Sequence, residues 1–436
     1  MFNYKSASDL KNDITSLGID LSLSDELEYF GKAVTVGGVE IPNSISALPM
    51  EGGDAVADGS PGELTFRKYE RVAKGGSGLI WIEAVSVCEE GKSNPGQLYI
   101  NKDNVKNFVE LRERIQKAAK QANGENFKPV IIIQLNHSGR YSRPGAARTP
   151  IISSHKKELD ERLQITEDYP LTTDDYLEEI EEAFVNASIL SKEAGFDGVD
   201  IKACHGYLIN ELLSSFNRPG KYGGSFENRS RFMLNVIDKV KAKIADENFL
   251  IASRLNLYDA LPISPGFGQN SKNELDLTEP IKLVNILSEK GVKIIGVTMG
   301  NPYFIPSVNR PSATAEPLES LKGAYRLIDG ASQLQKAVPE SIVVGVGYSW
   351  FRDFAPNVGA AILKEGRAKL IGFGREILAY PDFCNDIIKK GGFERTKQCV
   401  ACSKCGEMKR EISICGCPIR DTEYYLQMYK DIQKNK

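Results

Sequence analysis

Histidine is scarce: the 436 residues hold three, His137, His155 and His205, too few for a multi-histidine metal site. No apolar run approaches the roughly 18 residues that a membrane helix needs. The first residues, MFNYKSASDLKNDITSLGID, carry charge early and contain no apolar stretch ending in small residues, so the expected compartment is the cytoplasm. No charge of one sign dominates either. Lys and Arg number 55 against 58 Asp and Glu, interspersed, for a net charge of −3, so neither nucleic acid nor an anionic membrane is expected as a partner. A G-x-G-x-x-G turn after the first or second apolar run is missing, which counts against an open, doubly wound sheet. Internal repeats and low-complexity tracts are missing too.

What remains is a rhythm of apolar, β-branched runs. Eight occur: 44–49, 78–83, 129–135, 197–202, 249–255, 292–298, 341–346 and 368–373. Each is long enough for a buried strand. Between them lie stretches of helical period, among them 101–121, 174–194, 227–246 and 350–366. Continuous apolar strands alternating with helices imply a parallel sheet covered on its faces, and eight such units close a TM (β/α)8 barrel. Residues 1–43, with the Gly-Gly turn of AVTVGGVEI, are expected to form a cap with a hairpin. The barrel is expected over 44–390 and a cysteine-rich extension over 391–436. Loops 138–173, 256–277 and 300–328 follow the third, fifth and sixth strands, where barrels build their sites.

The loops after the seventh and eighth strands carry Gly345, Gly347, Gly374 and Arg375. Glycine lets backbone N–H groups approach a phosphate, and an arginine pairs with one. Barrel enzymes commonly hold phosphate at this place. Five of the eight cysteines, Cys399, Cys402, Cys405, Cys415 and Cys417, crowd near the end. In a cytosolic chain such crowding reads as a metal or iron–sulfur site before it reads as disulfides.

The stretch GFDGVDIKACHGYLINELLSSFNRPGKYGGSFENRSRF (195–232), with LPM (48–50), GLIWIEAVSV (78–87), IIIQLNHSGR (131–140) and EGRAKLIGFGREILAYPDF (365–383), resembles the old yellow enzyme family of FMN-dependent ene-reductases. The resemblance implies FMN at the barrel mouth and hydride transfer to an activated C=C bond of a small unsaturated substrate. It assigns Pro49 and Met50 to the flavin edge, Ala84 to the flavin O4, Gln134 to the pyrimidine ring and Arg254 to N1 and O2. A cation there stabilises reduced, anionic flavin.

In that family two donors three residues apart hold the substrate carbonyl, usually His-x-x-His or His-x-x-Asn. Here they are Lys202 and His205. Lysine can neutralise an enolate or bind a carboxylate, or it can pair with Asp200 or Glu211 as a structural ion pair. Tyr207 matches the tyrosine that protonates the α-carbon. Glu51 stands where relatives carry Thr or Cys beside the flavin O4. A carboxylate there disfavours reduced flavin unless it is protonated or turned away.

The cysteines resemble the 4Fe-4S ligands of the dienoyl-CoA and 2-enoate reductase branch, as Cys399, Cys402, Cys405 and Cys417, with Cys415 a rival fourth ligand. Zinc remains the alternative. That branch continues into an FAD- and NAD(P)H-binding domain, whereas this sequence ends at Lys436. Electrons are therefore expected from NAD(P)H or from a redox protein donor, and a homo-oligomer stays open. Two other readings compete: a phosphate-binding barrel lyase or isomerase with structural zinc, and an electron-transfer flavoprotein subunit.

Overall fold

In the computed structural model, which describes residues 2–309, 311 and 316–435, each of the eight apolar runs becomes a strand of one closed parallel barrel. After a hairpin of β1 (Val34–Val36) and β2 (Val39–Ile41), the barrel strands are β3 (Ile45–Ala47), β4 (Leu79–Ser86), β5 (Val130–Asn136), β6 (Gly198–Ile201), β7 (Leu250–Asn256), β8 (Ile294–Thr298), β9 (Ile342–Gly345) and β10 (Leu370–Phe373). They pair in chain order, and β10 closes on β3. Every residue of these eight strands is buried, so both faces must be apolar. That is why the runs are continuous rather than alternating.

Gly37 and Gly38 turn the hairpin at φ +55° and +79°, the left-handed pair that matches strand twist in a two-residue turn. Gly37 sits against the side chains of Leu250 and Lys293, at the amino ends of β7 and β8. The hairpin thus lies under the barrel, opposite the site.

Two predicted helices are shorter than their periodicity. The stretch 101–121 becomes the helix Val105–Asn123, because Asn101 and Asn104 first form a turn by exchanging side-chain and backbone bonds of 2.9 and 3.2 Å. The stretch 350–366 divides into a 3-10 helix, Tyr348–Phe354, and an α-helix, Ala355–Lys364. Arg352, at φ +52°, kinks the 3-10 segment within itself, and Pro356 sits in the first turn of the α-helix, where its missing N–H costs nothing.

After the barrel, two helices, Lys404–Ile412 and Thr422–Lys434, pack on each other through Met408, Tyr425 and Ile432. Asp421 ties them to the barrel, accepting from Arg67 at 2.7 and 2.8 Å and from Arg71 at 2.5 Å, both on the helix Glu63–Lys74. Among the described residues no helix is long and apolar enough to cross a membrane. The predicted loop 300–328 includes positions 310 and 312–315, and the cap and extension include Met1 and Lys436; these lie outside the described residues.

Candidate functional site at the barrel mouth

Strand pairing sets Ala84 beside Gln134, and Gln134 beside Asp200. Gln134 Nε2 donates to Asp200 Oδ2 at 2.5 Å, Trp81 Nε1 donates to the same oxygen at 3.0 Å, and the Arg254 backbone N–H donates to Oδ1 at 2.7 Å. Burial lifts the Asp200 carboxyl to about 6 despite these donors. In the sequence Asp200 stood only as a possible partner of Lys202, not as the acceptor that joins Gln134, Trp81 and the Arg254 backbone. Its signal was a carboxylate inside the apolar run DGVDIK, which needs partners to be buried.

Two cations rise from this layer. Lys202 is 4% exposed and Arg254 9%. Among the described residues, neither the Lys202 ammonium nor the Arg254 guanidinium has a hydrogen bond or an ion pair, and Arg254 Nε is buried without a partner. Asp200 is taken up by Gln134, and Glu211 accepts from Arg140 at 2.8 Å, so the structural pairing considered for Lys202 does not form. Lys202 instead lies 4.2 Å over the ring of Tyr207, and burial pulls its pKa down, partly offset by Cys204 and the Glu51 carboxylate. His205, at φ +68°, meets Tyr207 edge to face at 6.4 Å. The predicted trio is therefore brought together.

Glu51 is neither protonated nor alone. Its Oε1 accepts from Ser93 and Asn94 at 2.7 Å each and from Lys409 Nζ at 2.8 Å. Burial alone raises its pKa, but Lys409, Lys202 and these donors outweigh it and hold the group at about 2. Lys409 comes from the extension, in the helix Lys404–Ile412. The same segment touches the neighbouring loop: Cys415 N–H donates to Gly52 O at 2.7 Å, and Arg143 donates to Ser413 Oγ at 2.5 Å. A side chain at Gly53 would collide with Ser413 O.

From beneath, an ion pair holds the same loop. The β4 register shifts between Ile82 and Ala84, and Glu83 there meets Lys68 and Tyr69 of the helix Glu63–Lys74. Glu83 also accepts from Gly52 N–H, and Lys68 Nζ reaches Met50 O at 3.3 Å.

Across the mouth, Gly347 adopts φ +101°, a conformation that favours glycine. The N–H groups of Gly347, Gly374 and Arg375 have no backbone acceptor among the described residues, and Arg375 Nη1 is buried without a partner. Gly345 and Gly374 pack against Tyr348 and Met50. These unmet donors fit the phosphate of FMN, and the unmet Arg254 fits the electron-rich edge of its ring. The stretch expected as a loop over 300–328 ends earlier, at the helix Pro317–Ala337, which Pro317 opens at a position where its missing N–H costs nothing, and 138–173 holds the short helix Lys157–Leu163. Lys156, Asp259 and Asn301, from the three segments, line one cavity beside Gly206.

Cys399, Cys402, Cys405 and Cys417 line a second pocket, which Arg375 also borders. Cys415 lies off this wall, hydrogen-bonded to Cys405. The one trio of His, Cys or carboxylate groups among the described residues with ligand atoms within 4.8 Å of one another is Cys88, Glu90 and His137. His137 is unsuited to a cation. Its Nδ1 accepts from Gly139 N–H at 3.1 Å, which leaves the proton on Nε2, facing Tyr176 Oη at 3.1 Å. Burial lowers its pKa to about 3.

Residues 31–392 match the NADH:flavin oxidoreductase / NADH oxidase family. The chain is 29% identical over 380 residues to an NADH oxidase of Thermoanaerobacter brockii, covering 84% of this chain and 52% of that protein. It is 26% identical over 434 residues to a cinnamate reductase of Clostridium sporogenes, covering 94% and 61%. A solved 2-naphthoyl-CoA reductase in complex with 2-naphthoyl-CoA shares the fold with a TM-score of 0.71, at 19% identity, over 90% of this chain and 57% of that one. The chain thus spans between about half and three fifths of the length of these proteins.

Proposed function

The chain belongs to the FMN-dependent NADH:flavin oxidoreductase / NADH oxidase family, and from that premise we propose that it reduces the C=C bond of an α,β-unsaturated carboxylate. One observation carries the substrate class: the buried ammonium of Lys202, which no carboxylate among the described residues meets in a direct ion pair, in the position where the family resemblance expects a neutral donor. A buried cation offset only at a distance, here by the Glu51 carboxylate, is costly, and a substrate carboxylate in contact with it lowers the cost. The cinnamate reductase relative acts, by its name, on an unsaturated acid, which agrees with this reading.

When bound, FMN supplies the hydride. Pro49, Met50, Ala84 and Gln134 would hold its ring, Arg254 its pyrimidine edge, and the N–H groups of Gly347 and Gly374, beside Gly345 and Arg375, its phosphate. Lys202 and His205 hold the substrate carboxylate, so that charge developing on its oxygens meets a cation and a ring N–H. Tyr207 gives its hydroxyl proton to the α-carbon.

Cys399, Cys402, Cys405 and Cys417 are proposed to bind a 4Fe-4S centre. Four thiolates on one zinc ion, at about 2.3 Å each, stand about 3.8 Å apart, whereas no three of these cysteines come within 4.8 Å of one another. The wider spacing around a cavity suits a cluster. Electrons would come from NAD(P)H or a redox protein, and Lys409 links this segment to Glu51. The lyase or isomerase reading draws nothing from the family match.

Anaerobic mixing of the reduced holoprotein with cinnamate tests the proposal. Flavin reoxidation with one saturated acid formed per flavin is expected. Reoxidation by a neutral enone but by no enoate would overturn the substrate class.

A further inference from the structure

Tyr207 is 2% exposed, yet as the acid of the reaction it must regain a proton in every turnover. Its hydroxyl has two neighbours, Ser93 and Tyr303. The Ser93 side leads nowhere: Ser93 donates to Glu51 at 2.7 Å, and Glu51, held at about 2 by Lys409 and Lys202 against its burial, carries no proton at neutral pH. The Tyr303 side leads out. The two phenolic oxygens are 2.5 Å apart, and Tyr303 is 37% exposed.

Tyr303 is held in place rather than merely near. Its ring stacks on Tyr141 at 4.1 Å and 17°. The Asn301 amide fixes both residues, donating to Tyr141 Oη at 2.7 Å and accepting from Tyr303 N–H at 3.0 Å. Gly206 makes room for that amide, since a Cβ there would stand 2.5 Å from Asn301 Nδ2. Stacking, a side-chain clamp and a glycine clearance all converge on one phenol.

We propose that Tyr303 relays protons from solvent to Tyr207, through a path fixed by Tyr141 and Asn301. The inference rests on Tyr207 being the acid. As hydride reaches the β-carbon, the Tyr207 O–H bond breaks and the α-carbon–hydrogen bond forms. The Tyr207 phenolate takes the Tyr303 proton, and Tyr303 takes one from water. The sum is one hydride and one proton added to the alkene, with the flavin oxidised and no other reactant consumed.

The test compares Tyr303→Phe, Tyr303→Ala and Tyr207→Phe holoproteins in single-turnover reoxidation by an enoate and in multiple-turnover enoate reduction driven by dithionite, in H2O and D2O. Tyr303→Phe is expected to keep its flavin content, enoate affinity and first-turnover reoxidation but to turn over about tenfold more slowly, with a larger solvent isotope effect on turnover. Added imidazole should restore part of the rate in Tyr303→Ala, which opens a gap at the surface; a structural role for the ring would not respond. A Tyr303→Phe protein with wild-type turnover and isotope effect, while Tyr207→Phe is slow, would overturn the relay. If Tyr207→Phe is also as fast as wild type, the assignment of Tyr207 as acid fails instead.

Discussion

Replacing Lys202 by Met is expected to lower kcat/KM for an enoate by about 10²- to 10³-fold, while a neutral enone of similar shape loses only a few-fold. Truncating one partner of a buried, hydrogen-bonded charge pair costs about 2–5 kcal/mol, much of it from the charge left behind. The enoate carboxylate would be that charge, facing His205 alone. Burial has also pulled the Lys202 pKa below its usual value, so wild-type affinity for an enoate should weaken as the solution turns alkaline and the ammonium is lost. The Met variant should lack that limb. Lys202→His rebuilds the two-histidine spacing with His205 and should shift preference toward enones. Steady-state kinetics of the three proteins on an enoate and an enone measure all of this; a Met variant with undiminished enoate activity would remove Lys202 from substrate binding.

The second large effect is on stability. Lys68→Met leaves Glu83, with 0% exposure, buried without its cation, and breaking such a pair costs about 3–5 kcal/mol. The sign with pH follows from the carboxyl. Burial already pushes the Glu83 pKa up in the folded protein even with Lys68 beside it, and removing the ammonium pushes it further. A group whose folded pKa lies above its unfolded value supports the fold below the unfolded value and loses that support as pH rises through the folded one. The Met variant should therefore be nearest wild type near pH 5 and weakest near pH 8. Lys68→Met with Glu83→Leu should recover much of the loss, because no charge remains buried. Urea unfolding at the two pH values reads it. Since Glu83 and Lys68 also hold Gly52 N–H and Met50 O, flavin affinity should fall in the single variant even where it remains folded.

How much of this was legible in the sequence depended on how local the physics was. The barrel strands were found within about three residues of their ends because a strand buried on both faces must be apolar throughout, and that demand is written in consecutive residues. Lys202, His205 and Tyr207 were named through the family resemblance, whose motif lies on one strand end and the turn after it, and the structure brings their side chains together. Glu51 was legible as an anomaly, but its resolution was not. Lys409, its partner, lies 358 residues away, and a lone lysine in an amphipathic helix gives no sign of its destination. Asp200 was given the wrong partner, and the Lys68–Glu83 pair was missed, for a related reason: a carboxylate in an apolar run announces that it needs partners, not which ones. Tyr303 and Asn301 sit in a loop whose Gly, Pro and Asn content signalled a turn and nothing more. The kink at Arg352 was hidden because helical periodicity continues through it.

Flavin and cluster together are read most directly by the absorption spectrum of the anaerobically purified protein, taken with iron and zinc analysis. Oxidised-flavin bands from about one FMN per chain are expected over a broader absorption that dithionite bleaches, with about four irons per chain and little zinc. A colourless protein that takes up no added FMN would contradict the proposed function.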